Sequence, residues 1–269
     1  MKRLVERYGP WALVAGASEG LGAAFATQLA EAGFSLVLLA RRAATLEILA
    51  NDLRQRFGVT VEVQAIDLGD ADLEAKVKAL ADQREIGLLV YNAAYSIIAP
   101  FLDTSLEDKQ RILDVNTRGP VICAHVFGER MAARGRGGIV LLSSLTAFWG
   151  SAWVATYGST KAFNLSLGEA LAHELGERGI DVVVSCAGAT RTPNFVQALA
   201  GQKGPSAMSP EDVARETLDA MSKRGAFVPG GFNRFAQFLM TRLMPRKMAV
   251  RIMAGQTRSL LDRAKAPRK

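Results

Sequence analysis

Tyr157 and Lys161 lie four positions apart and carry side chains that together could move a proton. Residues four apart on a helix lie on the same face, one turn from each other. A phenol has a pKa of ~10 and is by itself a poor proton donor or base at neutral pH. A nearby ammonium group stabilises the phenolate and lowers that pKa. The pair therefore predicts a group, Tyr157, that exchanges a proton with a carbonyl or alcohol oxygen.

Ser144 adds a hydroxyl group that could hold the same oxygen. It lies thirteen residues before Tyr157, at the end of an apolar run, residues 138–143, that predicts a strand. A Tyr-x-x-x-Lys pair alone occurs often by chance. The interpretation therefore depends on a second motif and on the order of the elements.

That second motif is a glycine loop formed by Gly16, Gly20 and Gly22, which follows an apolar run and opens a segment with helical spacing. Glycines let the turn bend and let the backbone approach a pyrophosphate, which then lies at the positive N-terminus of the helix. An ordinary glycine-rich turn is the alternative. In this context, between a strand and a helix, the motif predicts a dinucleotide site.

The end of the second predicted strand, Ala40-Arg41-Arg42, carries two arginines and no acid. An Asp or Glu there would accept hydrogen bonds from the ribose of NAD and would repel the 2′-phosphate of NADP. Arginine instead forms charge-assisted bonds to phosphate. We therefore expect NADP(H), with Arg41 and Arg42 around the phosphate and Ser18 within reach. Glu19 weakens this expectation, and two solvated arginines are the alternative.

The elements that must position these residues alternate between strand and helix. Nearly continuous apolar strands are typical of a parallel sheet that is buried on both faces. We expect an α/β fold with a single Rossmann-like, doubly wound parallel sheet of about seven strands, flanked by helices and followed by a C-terminal helical extension. The predicted strands are 11–15, 35–40, 59–66, 87–92, 138–143, 180–186 and 226–228. The predicted helices are 20–32, 43–57, 73–80, 106–134, 154–178 and 210–224, with a loop and a short helix in 189–209.

No linker, repeat or low-complexity stretch divides the 269 residues. We expect one domain over residues 1–269, with a core at about 9–230 and a basic, helical extension at about 231–269. Residues 1–10 carry charges and no apolar core segment, so they do not form a secretory signal. No stretch reaches the ~20 apolar residues that a membrane span needs.

The composition limits the kinds of partner and the cellular compartment that we expect for the protein. The net charge of +7 is concentrated late in the chain, and no nucleic-acid-binding signature accompanies it, so we expect no nucleic acid partner. Cys123 and Cys186 lie apart in apolar stretches, which favours a reducing, cytoplasmic location. His125 and His173 are isolated, and we expect no metal site because such sites need clustered ligands.

The extension is both apolar and basic between residues 232 and 254, and we expect Pro245 to break its helix. Three interpretations stay open. The segment could be an interfacial helix that makes weak contact with anionic lipid, a lid over the substrate cleft, or a helix packed between subunits.

Taken together, the glycine loop, Ser144, Tyr157 and Lys161 resemble the short-chain dehydrogenase/reductase family over about residues 9–230. Within it, the segments 8–20 and 187–193 are similar to hydroxysteroid dehydrogenases of the 7β and 17β types and to related ketoacyl reductases. Two motifs depart from the family pattern: Asn92-Ala93-Ala94 replaces Asn-Ala-Gly, and Ala187-Gly188 replaces Pro-Gly.

The resemblance implies a role for further residues. Asn116 would be the fourth catalytic residue beside Ser144, Tyr157 and Lys161, organising a water that relays protons. The residues implied to contact the cofactor are Gly16, Ser18, Glu19, Gly20, Leu21, Gly22, Arg41, Arg42, Asp67, Leu68, Asn92, Ala93, Ala94, Tyr157, Lys161, Gly188, Thr190 and Thr192.

Large apolar side chains follow the fourth, fifth and sixth strands, where the family binds its substrate. The candidates are Tyr95, Leu145, Phe148, Trp149, Trp153 and Phe195. Packing in the core or between subunits is the alternative for each. Helices 106–134 and 154–178 resemble those that pair subunits in the family, which implies a homodimer or homotetramer.

These inferences predict an NADPH-dependent reductase that converts a bulky hydrophobic ketone, steroid-like or 3-oxoacyl, to a secondary alcohol, or catalyses the reverse. The rival hypothesis is an NADP-sensing scaffold that performs no chemistry. The intact set of four catalytic residues argues against the rival, because a sensor needs only the glycine loop and Arg41.

Overall fold

The computed structural model describes residues 2–198 and 207–265 of the chain. Seven parallel strands form one sheet in the order β3-β2-β1-β4-β5-β6-β7, which confirms the predicted fold class. The strands are β1 Trp11–Ala15, β2 Ser35–Ala40, β3 Val61–Ala65, β4 Ile86–Tyr91, β5 Gly137–Ser144, β6 Ile180–Ala187 and β7 Gly225–Phe227. The α-helices are α1 Lys2–Tyr8, α2 Gly20–Glu31, α3 Ala43–Phe57, α4 Leu73–Gln83, α5 Leu106–Leu113, α6 Gly119–Arg134, α7 Ala155–Glu174, α8 Pro193–Ala198, α9 Pro210–Asp219, α10 Gly231–Phe238 and α11 Arg246–Lys265.

The two faces of the sheet bury separate apolar clusters. On one face, the strands pack with α2, α3 and α9 through side chains such as Phe25 and Leu46. On the other, they pack with α4 and α6 through side chains such as Val77 and Phe127. Every residue of β4 and β6 is buried, as expected for inner strands of a parallel sheet that is covered on both faces. Their residues are mainly apolar, and Asp181 and Ser185 of β6 are buried polar exceptions.

The strand order creates a crevice at one edge of the sheet. β1 pairs with β2 on one side and with β4 on the other, so the chain crosses over between these neighbours. Ligands of open α/β sheets bind outside the carboxyl ends of the strands at such a switch point. The glycine loop after β1 and the segment after β4 both start there.

The long helix predicted over 106–134 is interrupted in the middle. A π-helical turn, Asp114–Arg118, separates α5 from α6 and contains Asn116. A second π-helical turn, Leu239–Leu243, continues α10, and Met244 then adopts an extended conformation before Pro245. The helix therefore ends before Pro245, as predicted. The predicted loop and short helix in 189–209 contain α8, and residues 199–206 lie outside the described part.

The charged N-terminus contributes to the core, which the sequence did not indicate. The Tyr8 side chain is buried, and its Oη donates a hydrogen bond of 2.5 Å to Oδ2 of Asp181, which is itself buried in β6. Arg7 pairs with the same carboxylate, and Arg224 Nε donates to Oδ1 over 2.6 Å. The structural core therefore begins before residue 9, since α1 helps to neutralise a buried charge.

Within the described residues, no helix is long and apolar enough to cross a membrane.

Replacement of Tyr8 by Phe should lower the free energy of unfolding by about 1–3 kcal/mol, because the buried Asp181 carboxylate loses a donor. Chemical denaturation measures the change. Tyr95→Phe is the matched control, since its hydroxyl makes a 3.2 Å contact with Asp108 in a partly exposed setting and should cost less than about 1 kcal/mol. Equal effects of the two variants would contradict the role assigned to Tyr8.

Candidate active site

A cavity of about 1590 Å³ opens at the carboxyl ends of the strands. Its wall is built by the segments that follow β1 to β6, together with α10 and α11. Most of the predicted site residues line it: Gly16, Ser18, Glu19, Gly20, Leu21, Arg41, Arg42, Asp67, Leu68, Asn92, Ala93, Ala94, Tyr95, Ser144, Leu145, Trp149, Tyr157, Lys161, Gly188, Thr190, Thr192 and Phe195.

The glycine loop holds a backbone shape that side chains would prevent. Gly16 has a φ of 82° and Gly20 one of 58°, both in the left-handed region. A Cβ atom on Gly22 would lie 2.0 Å from the carbonyl oxygen of Gly16, so Gly22 packs beneath the loop rather than in the cavity wall. Asn92 Nδ2 donates to the same Gly16 oxygen over 2.8 Å and so fixes the loop against the end of β4.

The loop fits a dinucleotide pyrophosphate. Glu19 precedes α2 and makes no side-chain cap to the first turn of the helix. The backbone N–H groups at the start of α2 therefore remain available to an anion, which the helix dipole also favours. A Cβ atom on Gly16 would lie 2.7 Å from the backbone nitrogen of Ala93, and one on Gly20 would lie 3.0 Å from Cγ2 of Thr192, so both glycines allow the segments around the cavity to pack closely.

Arg42 is oriented by its neighbours at the end of β2. Its Nη2 donates to Ser18 Oγ over 3.2 Å and lies 3.0 Å from Oε2 of Glu19. Glu19, which weakened the expectation of NADP(H), thus pairs with one of the two arginines that we expect around the phosphate. The pair is half-exposed, so its contribution to stability is small.

Asp67 is engaged by an arginine that the sequence analysis missed. Burial alone would raise the pKa of Asp67, but the hydrogen bond from Gly69 N and the guanidinium group of Arg111 lower it below its usual range. Gly69 N donates to Oδ1 over 2.9 Å, and Arg111 pairs with Oδ2. Arg111 also lines the cavity. The two residues lie 44 positions apart, so no local pattern could have indicated the contact.

Ser144, Tyr157 and Lys161 meet where β5 ends and α7 begins. The Nζ atom of Lys161 lies 5.4 Å from the centre of the Tyr157 ring and donates to the Leu142 carbonyl over 2.9 Å. Ser143 Oγ donates to the Lys161 carbonyl over 2.7 Å. These two bonds tie the first turns of α7 to the last residues of β5.

Burial shifts the ionisation of the central pair. It raises the pKa of Tyr157 to about 12, against a hydrogen bond with Ser144 that lowers it. It lowers the pKa of Lys161 to about 8. The sequence led us to expect a lowered tyrosine pKa, but in the structure without a bound ligand burial outweighs the hydrogen bond with Ser144. At neutral pH the phenol therefore keeps its proton and can donate it to an oxygen in the cavity.

Asn116 is fully buried, and its amide holds the segment after β4. Its Oδ1 accepts from Tyr95 N over 2.8 Å, and its Nδ2 donates to the Tyr95 carbonyl over 2.9 Å. Nδ2 also lies 3.1 Å from Oγ1 of Thr160 on α7. Among the described residues that line the cavity, Asn116 is absent. Its visible role is to position Tyr95, and the water relay stays a prediction.

The two departures from the family pattern fit the backbone. Ala94 is not among the described non-glycine residues with positive φ, so its Cβ causes no strain there. Ala187 is buried at the end of β6, where it is in register with Ser144 of β5. At the neighbouring Gly188 a Cβ atom would lie 2.8 Å from Nδ2 of Asn233 on α10, so the glycine permits close packing of the C-terminal segment.

Two of the predicted substrate residues lie away from the cavity wall as far as the structure describes it. Phe148 packs against Trp149, with ring centres 5.6 Å apart, and against the C-terminal segment. Trp153 has its ring beneath the Arg258 guanidinium group, at 5.0 Å. Of these three neighbouring aromatics, only Trp149 reaches the cavity.

The C-terminal segment supplies wall residues that were missed from the sequence. On α10 and the turn after it they share one helical face, with spacing i, i+3, i+4 and i+7: Asn233, Ala236, Gln237 and Met240. Ile252 and Met253 of α11 join them. The sequence already contains that spacing, and a cavity-lining inner face is what the lid interpretation of this segment expects.

Among the residues that the structure describes, no group of three His, Cys, Asp or Glu side chains could hold a metal ion.

The sequence matches the short chain dehydrogenase family over residues 10–203, and the chain belongs to that family. It is 32% identical over 238 residues to a 7beta-hydroxysteroid dehydrogenase of Collinsella aerofaciens, covering 86% of this chain and 90% of the relative. It is 38% identical over 180 residues to a very-long-chain 3-oxoacyl-CoA reductase of Podospora anserina, covering 65% of this chain and 53% of that protein.

Solved structures give the same result. A 7beta-hydroxysteroid dehydrogenase studied for its stereoselectivity superposes with a TM-score of 0.88 at 30% identity, over 93% of this chain and 98% of the other. A short-chain dehydrogenase of Sphingobium yanoikuyae in complex with NADPH superposes with a TM-score of 0.77 at 30% identity, over 87% and 96%. The protein is thus a member of an oxidoreductase family that binds a nicotinamide cofactor.

Gly22→Ala should weaken binding of the nicotinamide cofactor about tenfold or more, because displacement of a binding loop by ~1 Å has effects on that scale. The added Cβ atom would meet both the Gly16 carbonyl oxygen and Asn92 Nδ2. Fluorescence titration measures the dissociation constant. Gly128→Ala on α6 is the control, since its nearest neighbour would lie 3.9 Å away. Unchanged affinity in Gly22→Ala would contradict the role of the loop.

Proposed function

We propose that the protein is an NADP(H)-dependent oxidoreductase that reduces a bulky hydrophobic ketone, steroid-like or 3-oxoacyl, to a secondary alcohol, or catalyses the reverse reaction. The observation that carries this proposal is the cavity itself. Ser144, Tyr157 and Lys161 line its inner part, and the glycine loop with Arg41 and Arg42 lines the part near β1 and β2.

In the proposed reduction, the substrate carbonyl oxygen accepts hydrogen bonds from Ser144 and Tyr157. The glycine loop with Arg41 and Arg42 would hold NADPH, which would supply the hydride for the carbonyl carbon. Tyr157 transfers its phenolic proton to the oxygen, so that the alcohol forms and a phenolate remains. The ammonium group of Lys161 stabilises that phenolate electrostatically until a proton returns. The reverse reaction uses the same groups with Tyr157 as base.

The preference for NADP(H) follows from charge. Arg41 and Arg42 line the cavity beyond the end of β2, and no acid occupies that end of the strand. A 2′-phosphate is a dianion that two guanidinium groups stabilise. The family relative from Sphingobium yanoikuyae was solved with NADPH, which supports this preference.

The substrate class follows from the wall. Leu145, Trp149, Phe195 and Met240 line the same cavity as Tyr157 and give its wall large apolar side chains, as pockets for bulky apolar ligands require. The names of the relatives, a hydroxysteroid dehydrogenase and a 3-oxoacyl-CoA reductase, point to substrates of this kind.

The proposal extends to organisation and location. Trp149 packs with Ala249 and Met253 of α11, which supports one domain over the whole chain. Exposed apolar side chains on α5, α6 and α7, among them Leu106 and Val121, support a homodimer or homotetramer. Both cysteines are free, in keeping with a cytoplasmic location.

Tyr157→Phe should lower kcat for ketone reduction by about 10²–10⁴-fold while leaving NADPH affinity close to that of the wild type, because only the proton donor is removed. The assay follows NADPH consumption with a panel of steroid ketones and 3-oxoacyl thioesters. Turnover that persists in the variant would contradict the role of Tyr157. Tight NADPH binding by the wild type without turnover on the whole panel would favour the sensor hypothesis.

Single replacement of Arg41 or Arg42 by Ala should reduce the preference for NADPH over NADH by about 10–100-fold, the value of a hydrogen bond between charged groups. The ratio of kcat/KM for the two cofactors measures it. Arg56→Ala is the matched control, because this exposed arginine on α3 pairs with Asp52 outside the cavity. An unchanged ratio in both site variants would contradict the proposed phosphate site.

A further inference from the structure

The helix formed by α10 and the turn that continues it to Leu243 has one face towards the cavity and one towards solvent. Its inner face borders the cavity and carries Asn233, Ala236, Gln237 and Met240. Its outer face carries large apolar side chains that point to solvent: Phe235 is 64% exposed, Phe238 53% and Leu243 70%. We call this the outer face of α10. Contiguous exposed apolar surface of this kind marks a site of interaction.

Charge identifies the kind of partner. Between residues 231 and 261 there are six basic residues and no acid, and Asp262 is the first carboxylate after them. Arg234 is paired with Glu216, and Arg258 with Asp262. For Arg242, Lys247 and Arg251, no ion pair with another described residue occurs. Apolar side chains beside such cations complement a surface that is apolar inside and anionic at its boundary.

A second copy of the chain fits this face less well. A two-fold contact brings the same surface of each subunit together, so the basic residues of one copy would meet those of the other. Like charges brought together in this way are repulsive. A lipid surface supplies the opposite charge.

We propose that the outer face of α10, with the start of α11, binds the surface of a bilayer that contains anionic lipid. The aromatic side chains enter the boundary of the acyl chains, while Arg242, Lys247 and Arg251 contact the headgroups. This is peripheral binding and needs no membrane-spanning helix.

Such binding would place the mouth of the cavity next to the lipid. Phe232 is exposed and also lines the cavity, and Ile252 of α11 does the same, so the mouth of the cavity borders the outer face. A protein bound through this face holds that mouth against the lipid. If the reaction is the one proposed above, an apolar ketone dissolved in the bilayer reaches the cavity without crossing water; the docking itself does not depend on that reaction.

Co-sedimentation of the full chain with vesicles tests the proposal. Vesicles of phosphatidylcholine with phosphatidylglycerol should bind the wild type, vesicles of phosphatidylcholine alone should bind it less, and high salt should weaken the binding. Phe235→Ser/Phe238→Ser should bind about tenfold or more weakly, because two aromatic side chains are withdrawn from the boundary. Lys247→Gln/Arg251→Gln should lose the preference for the anionic vesicles. None of these four residues lines the cavity as described.

Ile48→Ser on α3 is the matched control, since it removes an apolar side chain that is 73% exposed on another surface, and it should bind as the wild type does. Thermal unfolding and NADPH titration verify that each variant is folded. The proposal is overturned if the wild type stays in the supernatant, or if the double variants sediment as it does. It is also overturned if the phenylalanine variant dissociates a wild-type oligomer in sedimentation velocity without any loss of vesicle binding.

Discussion

The buried ammonium group of Lys161 donates a hydrogen bond to the Leu142 carbonyl, and the Lys161 carbonyl accepts one from Ser143. A buried cation must be satisfied by polar partners, because an uncompensated charge in the interior is strongly destabilising. The satisfied position is one in which α7 lies against the end of β5. That contact sets Tyr157 beside Ser144 and aligns both with the crevice between β1 and β4. The site therefore depends on one helix–strand contact more than on any single loop.

The environment of this contact determines which direction of proton transfer the resting protein favours. Burial opposes both charged forms, so the Tyr157 pKa rises and the Lys161 pKa falls. A protonated phenol next to a lysine that is still largely charged is ready to donate a proton. For the reverse reaction the phenolate must form first, and a positively charged ligand nearby would assist it. In the proposed mechanism, the pair thus acts as acid or base according to what the cavity contains.

Local sequence patterns predicted the parts of the molecule that local forces determine. The strands of the sheet, the glycine loop and the Tyr157–Lys161 turn follow from apolar runs, from glycine conformation and from helical spacing. Contacts between residues that are distant in the sequence could not be predicted. Nothing near Tyr8 in the sequence indicates Asp181 as its partner, and nothing near Asp67 indicates Arg111. Phe148 and Trp149 are adjacent and alike in type, yet only Trp149 reaches the cavity. Their orientation is set by α11, which lies about a hundred residues later in the chain.

The C-terminal segment shows how one helix can satisfy two environments. On its inner face, Asn233 lies close to Gly188, and its Nδ2 donates to the Pro229 carbonyl over 2.9 Å. On its outer face, the phenylalanines at positions 235 and 238 are exposed to solvent. The composition of the extension, apolar and basic together, is what such an outer face would need if it meets a surface other than water.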